Sequence, residues 1–220
     1  MDIETTNQLV EATRLLLEDE SAEWESVEAL WRPYVDQGDV DAKFHLADFY
    51  LDYGFDEGPQ KDRGMRELLL DAADQGHPDA IYRLCNQYSE GPERDEQLLK
   101  AGKLGSLEAQ RDLGALFASG DWTGPRDSVL ATEWYRRAAV RGHADAQYNL
   151  GFMYFLGEGV QSDPQEGLRW LLLSAGQRNE HSFRLLADLY RNGYYGVPVD
   201  AVEAERWDEE YRKTNSRRLK

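Results

Sequence analysis

The sequence predicts an all-α protein, a right-handed α-solenoid (an α/α superhelix) of about six helix pairs. Three observations predict it. A motif recurs at intervals of 38, 29, 37 and 36 residues when the small residues Ala42, Ala80, Ala109, Ala146 and Ser182 mark its start. Repetition near this length is the signature of stacked helical units rather than of a compact catalytic domain. Within each unit, small and apolar positions are three and four residues apart, the spacing of one helix face. Most units also carry a glycine-containing loop that ends in Asp, which combines a tight turn with a helix cap.

Residues 4–18 form the first predicted helix, with Leu9, Ala12, Leu15 and Leu16 at helical spacing and Thr5 or Thr6 near its start. Residues 22–37 form the second, with Trp24, Val27, Leu30, Trp31 and Tyr34 on one side. Pro33 lies inside it and is expected to kink or loosen its last turn. Acids crowd the junction (Glu18, Asp19, Glu20, Glu23, Glu25, Glu28), where they suit the N-terminal end of the second helix.

From Asp41 the period sets in. The first helix of each unit carries Leu46, Leu84, Leu113, Leu150 or Leu186, then a small residue (Ala47, Cys85, Gly114, Gly151, Ala187), then an aromatic three later (Tyr50, Tyr88, Phe117, Tyr154, Tyr190). The small residue lets the second helix approach and the aromatic fills the space beside it. The loops Gly58-Pro59-Gln60-Lys61-Asp62, Gly124-Pro125-Arg126-Asp127, Gly159-Val160-Gln161-Ser162-Asp163 and Gly196-Val197-Pro198-Val199-Asp200 each place Asp as the cap of the second helix. The last three are followed by a small residue and a Trp: Ala131 and Trp134, Gly167 and Trp170, Ala204 and Trp207. The unit from Pro78 to Ser106 lacks the glycine loop, which predicts a short connection and a local change of curvature. The last helix, 199–213, has Tyr211 and Arg212 where earlier units have Ala-Ala, as an end cap would. Together these units read as one helical repeat domain over 1–213. It comprises a degenerate pair (1–40), repeats at 41–77, 78–106, 107–143, 144–179 and 180–213, and a polar tail at 214–220.

Charge narrows the function. Residues 1–110 carry 26 Asp/Glu against 10 Lys/Arg, whereas 111–220 carry 16 against 15. The N-terminal half therefore repels phosphate backbones and anionic lipid, which argues against nucleic acid and membrane and for a basic protein partner, while the same acidity reads equally well as a device for solubility. One cysteine, Cys85, excludes an internal disulfide framework and most thiolate metal sites, and its place among the small residues predicts a buried, inert thiol. The first 20 residues lack a basic region and a long apolar run, so no signal peptide is expected, and no apolar window approaches the ~20 residues that span a bilayer. The expected location is the cytoplasm.

Chemistry finds no foothold. Among His45, His77, His143 and His181, the second and third share a turn position after Gly76 and Gly142, which is a repeat role. No paired histidines sit at helical spacing, so no metal is expected. Gly157 and Gly159 follow a helix, so they are turn residues and not a phosphate cradle. The chain is expected to be no enzyme and to hold no cofactor.

The stretch Ala146-Gln147-Tyr148-Asn149-Leu150-Gly151-Phe152-Met153-Tyr154, with Gly157, Gly159, Val160 and Asp163, resembles the Sel-one-like repeat (SLR) family, a cousin of the tetratricopeptide repeat. The preceding Trp134 to His143 is similar to that family's second helix. The resemblance covers 41–213 and, more weakly, 22–40. It implies antiparallel helix pairs whose first helices line a concave surface, and a scaffold or adaptor role through protein contact without catalysis. Some bacterial members are immunity proteins that block a secreted toxin, which supplies the alternative function. On such a surface the residues off the packing seam are Asp41, Phe44 and Asp48; Asp79, Tyr82 and Asn86; Glu108 and Arg111; Asp145, Tyr148 and Phe152; and His181, Arg184 and Asp188. Aromatics interleaved with acids suit a groove for a basic peptide or domain. Phe44, Tyr82 and Tyr148 read equally well as packing residues between units.

Overall fold

The computed structural model describes residues 1–18, 24–52, 59–85, 91–121 and 125–218. They form twelve α-helices and one 3-10 turn, with no strand among the described residues. The helices are α1 (Ile3–Glu18), α2 (Trp24–Asp36), α3 (Val40–Asp52), α4 (Pro59–Asp74), α5 (Pro78–Cys85) and α6 (Pro92–Leu104). They continue as α7 (Leu107–Ser119), α8 (Ser128–Val140), α9 (Ala144–Leu156), α10 (Pro164–Gly176), α11 (Glu180–Asn192) and α12 (Ala201–Arg218). This is the all-α solenoid architecture, with odd-numbered first helices and even-numbered second helices. Two compact units divide the chain, Met1–Ser106 and Leu107–Lys220.

In unit 1 the core is built from Val27, Trp31, Val35, Ala42, Leu46 and Phe49, with Leu9, Leu16 and Leu17 of α1 packed against it. Trp31 is 1% exposed and donates its indole N–H to Thr13 Oγ1 at 2.9 Å, so the ring is buried without orphaning its polar edge. The helix α2 runs through Pro33 to Asp36. The missing proline N–H costs one helical bond, yet Tyr34 and Val35 beyond it still serve the core and the turn, so the helix does not stop early.

In unit 2 the repeats are regular. Phe155, Leu171, Ala175, Phe183, Leu186, Leu189 and Trp207 form one cluster through α9 to α12. Helices α9 and α10 cross where Gly151 and Gly167 face one another. A Cβ on either would lie 2.8 Å from the other's carbonyl oxygen. Gly159 is more constrained: its φ is 68° and a Cβ would meet the Ser128 carbonyl at 1.8 Å. The loop can therefore lie against the start of α8, where the Thr132 hydroxyl donates to the Glu158 carbonyl at 3.0 Å.

Asp127, Asp163 and Asp200 cap α8, α10 and α12 by accepting backbone N–H groups two and three residues on. The sequence places the start of α4 after Asp62, and the helix begins earlier. That helix starts at Pro59, where a residue without an N–H sits at no cost in the first turn, so Asp62 lies inside it. The last helix extends to Arg218, five residues beyond the sequence expectation. Gly91 precedes α6 with a φ of 144°. The connection before it, 86–90, lies outside the described residues.

Candidate functional site

Every second helix from α2 to α10 ends in the same turn. In α8 the N–H of Gly142 bonds to Ala139 O and that of His143 to Ala138 O, and the equivalent pairs recur at Gly38/Asp39, Gly76/His77, Gly105/Ser106 and Arg178/Asn179. Arg178 takes the glycine position at a φ of 65°, a conformation L side chains adopt at some cost. The second residue of the turn is also the cap of the next first helix. Asp39, His77, His143 and Asn179 accept the N–H of Ala42, Ala80, Ala146 and Ser182 at 3.0, 3.2, 3.3 and 3.0 Å. The marker residue of the repeat is thus the capped one. For His77 and His143 the acceptor is Nδ1, which leaves the neutral ring's proton on Nε2.

That second nitrogen meets the acid of the preceding repeat. His77 Nε2 lies 3.5 Å from Asp41 Oδ1, and His143 Nε2 lies 3.2 Å from Glu108 Oε1, close polar contacts that become ion pairs only when the ring is protonated. Asn179 does the same with its amide, donating to Asp145 Oδ1. A buried polar ladder runs beside this in unit 2. Gln147 donates to Ala139 O at 3.1 Å, Ser174 to Ala144 O at 2.7 Å, and Ser182 to Ser174 at 2.7 Å. Sequence reasoning missed the ladder and the link. The signal for the link was present, a polar residue three before each marker: Asp39, His77, Ser106, His143 and Asn179.

The predicted surface residues therefore divide. Asp41 and Asp145 face the following repeat's cap, and Asp48 pairs with Arg83 Nε at 2.6 Å. The Glu108 carboxyl is held down to about 2, chiefly by His143 with Arg111 assisting and burial opposing. Arg111 bonds Glu108 at 3.2 Å and also pairs with Asp112, and Asp188 pairs with Arg191 at 2.8 Å. Phe44 does not reach the surface. It is buried and stacked on His77 at 4.3 Å between ring centroids, so it packs successive repeats together. Tyr82, Tyr148 and Phe152 are half-buried. Cys85 is fully buried, with Sγ 3.0 Å from Tyr82 O. Asp79 is half-buried and makes no ion pair or hydrogen bond among the described residues, but its charge acts on the His45 and His77 imidazoles. His181 and Arg184 are exposed. Asn86 lies outside the described residues.

A cavity of about 530 Å³ in unit 1 is lined by Glu28, Arg32, Tyr50, Glu67 and Asp71 over Met65 and Leu68. Two of its acids are already engaged: Glu28 pairs with Arg32 of the same lining, and Asp71 with Lys43 from outside it at 2.7 Å. Among the described residues no three His, Cys, Asp or Glu side chains converge as metal ligands. None of the described helices is long and apolar enough to cross a membrane.

The chitin synthase regulatory factor 3 of Schizosaccharomyces pombe is 29% identical over 150 residues, 63% of this chain and 16% of that protein. The chain spans less than half the length of the curated relatives it matches. A Sel1 repeat protein of Oxalobacter formigenes has a similar structure, with a TM-score of 0.77 at 23% identity over 95% of this chain and 88% of that one. An immunity protein of Pseudomonas aeruginosa superposes with a TM-score of 0.70 at 20% identity, over 98% of this chain and 83% of that one. The Sel1 repeat model matches residues 78–104, 107–143, 144–179 and 184–207, together more than half of the sequence, and the chain belongs to the Sel1 repeat family.

Proposed function

We propose that the protein is a non-catalytic, cytoplasmic interaction scaffold that binds a basic protein or peptide along the first helices of unit 1. The observation that carries the reading is the charge of that unit, 25 Asp/Glu against 10 Lys/Arg over residues 1–106, on a repeat framework whose polar clusters are consumed by packing and capping. A field of that sign steers a basic partner, and the half-buried Tyr82 on the same helix as Asp79 offers it a place to dock. Capture from native lysate with the wild-type chain and with Asp79→Lys combined with Tyr82→Ala tests it. The variant is expected to lose the basic partner and to fold normally by circular dichroism. A partner retained equally, or one indifferent to ionic strength, overturns the reading.

The alternative is an immunity protein that occludes a toxin. It draws support from the likeness to the Pseudomonas immunity protein across 98% of this chain, which is a likeness of fold. Rescue of growth on co-expression with a candidate toxin encoded beside this gene supports the alternative, and failure to bind or rescue sinks it.

A further inference from the structure

The last first helix replaces the acid that precedes the marker in the others. Immediately before the marker the earlier repeats place Asp41, Asp79, Glu108 and Asp145, and α11 places His181. Two residues after it they place Phe44, Tyr82, Arg111 and Tyr148, and α11 places Arg184. His181, Arg184 and Asp188 form the exposed stripe of α11, three and four residues apart. Asp188 is occupied by Arg191, which also bonds Asp208 of α12. No carboxylate among the described residues pairs with His181 or Arg184. Rings frame the two instead. Tyr148 lies 5.7 Å from His181 between centroids, and the Arg184 guanidinium carbon sits 5.8 Å from the centre of Tyr211.

We infer that the His181–Arg184 face of unit 2, framed by Tyr148 and Tyr211, binds an acidic segment of a protein partner through its side-chain carboxylates. In α9 the carboxylate of Asp145 receives the amide donor of Asn179, whereas in α11 the acid's position before the marker is taken by His181, with Arg184 one turn on. A guanidinium held over a ring is partly preorganised and matches a carboxylate bidentately, and aromatic surface beside it supplies the apolar contact of a hot spot. The inference rests on the scaffold reading but not on its basic partner, because it concerns the other unit and the opposite charge.

The test is nuclear magnetic resonance titration of the full chain with a blocked peptide of four glutamates around one tyrosine. Saturable shifts of the His181 ring and the Arg184 guanidinium are expected. Arg184→Glu should weaken binding about tenfold or more while leaving the melting temperature unchanged. Reversal at Asp79 should leave this binding intact, which separates it from the unit 1 reading. The inference is overturned by the absence of saturable shifts, by equal binding of the corresponding lysine peptide, by inorganic phosphate alone producing the same shifts, or by an unaffected Arg184→Glu variant.

Discussion

The two units hold the same architecture with different packing chemistry. Unit 2 brings backbones together: Gly151 meets Gly167, Gly114 leaves room for the Tyr135 ring, and a ladder of Gln147, Ser174 and Ser182 satisfies the groups that close approach buries. Unit 1 joins its repeats through rings. Trp31 stacks on His45 at 4.9 Å, and Phe44 stacks on His77 at 4.3 Å. Three of the four matched family repeats fall in unit 2, and the first 77 residues lie outside the match. The comparison teaches that a repeat framework survives loss of its consensus when large side chains fill the space that small ones close. In unit 1 those rings pack directly against the His45 and His77 imidazoles.

The largest expected effect tests the backbone-contact mode. Gly159→Val combines a left-handed φ with a collision against Ser128 O and should cost on the order of 3 kcal/mol or more. Thermal unfolding followed through the unit 2 tryptophans measures it, and a near-neutral result removes the claim that this loop is pinned to α8. Gly151→Leu should follow, by about 1–3 kcal/mol or more, as the α9–α10 crossing is forced apart. In unit 1, Thr13→Val leaves the Trp31 N–H buried without its acceptor, and a loss of about 1–3 kcal/mol is expected in denaturant melts.

Acid should separate the units. Burial pushes the His45 and His77 imidazoles below their ordinary 6.5. A depressed histidine contributes stability that is complete above 6.5 and declines as pH falls through 6.5 and then through the folded-state value. The depressed Glu108 of unit 2 behaves as carboxylates do: its contribution is complete above the ordinary 4.5 and is lost only as pH falls toward about 2. Hydrogen exchange between pH 6.5 and 4.5 should therefore open unit 1 before unit 2. His77→Asn, which copies the natural cap at Asn179, should narrow the gap. Equal acid sensitivity of both units breaks the comparison. The smallest effect has the opposite sign: Gly64 lies within α4 with nothing near its Cβ position, so Gly64→Ala should stabilise unit 1 by about 0.5–1 kcal/mol.

Helix order, the Asp caps at 127, 163 and 200, and the close-packing glycines follow from local pattern, because spacings of three and four encode faces and a capping side chain acts within its own turn. The start of α4 at Pro59 and the continuation of α2 past Pro33 are local too, but a single proline reads both ways until its surroundings are known. The site was less legible. Asp41, Glu108 and Asp145 look like a row of free acids in the sequence, and Phe44 reads equally as an anchor among them or as a packing residue. The fold brings His77, His143 and Asn179, each more than 30 residues later, against those acids and draws Phe44 into a ring stack. Periodicity says which face a residue is on. Only the stacking distance between repeats decides whether a charge on that face is already answered from within the chain, and that left His181 and Arg184 open.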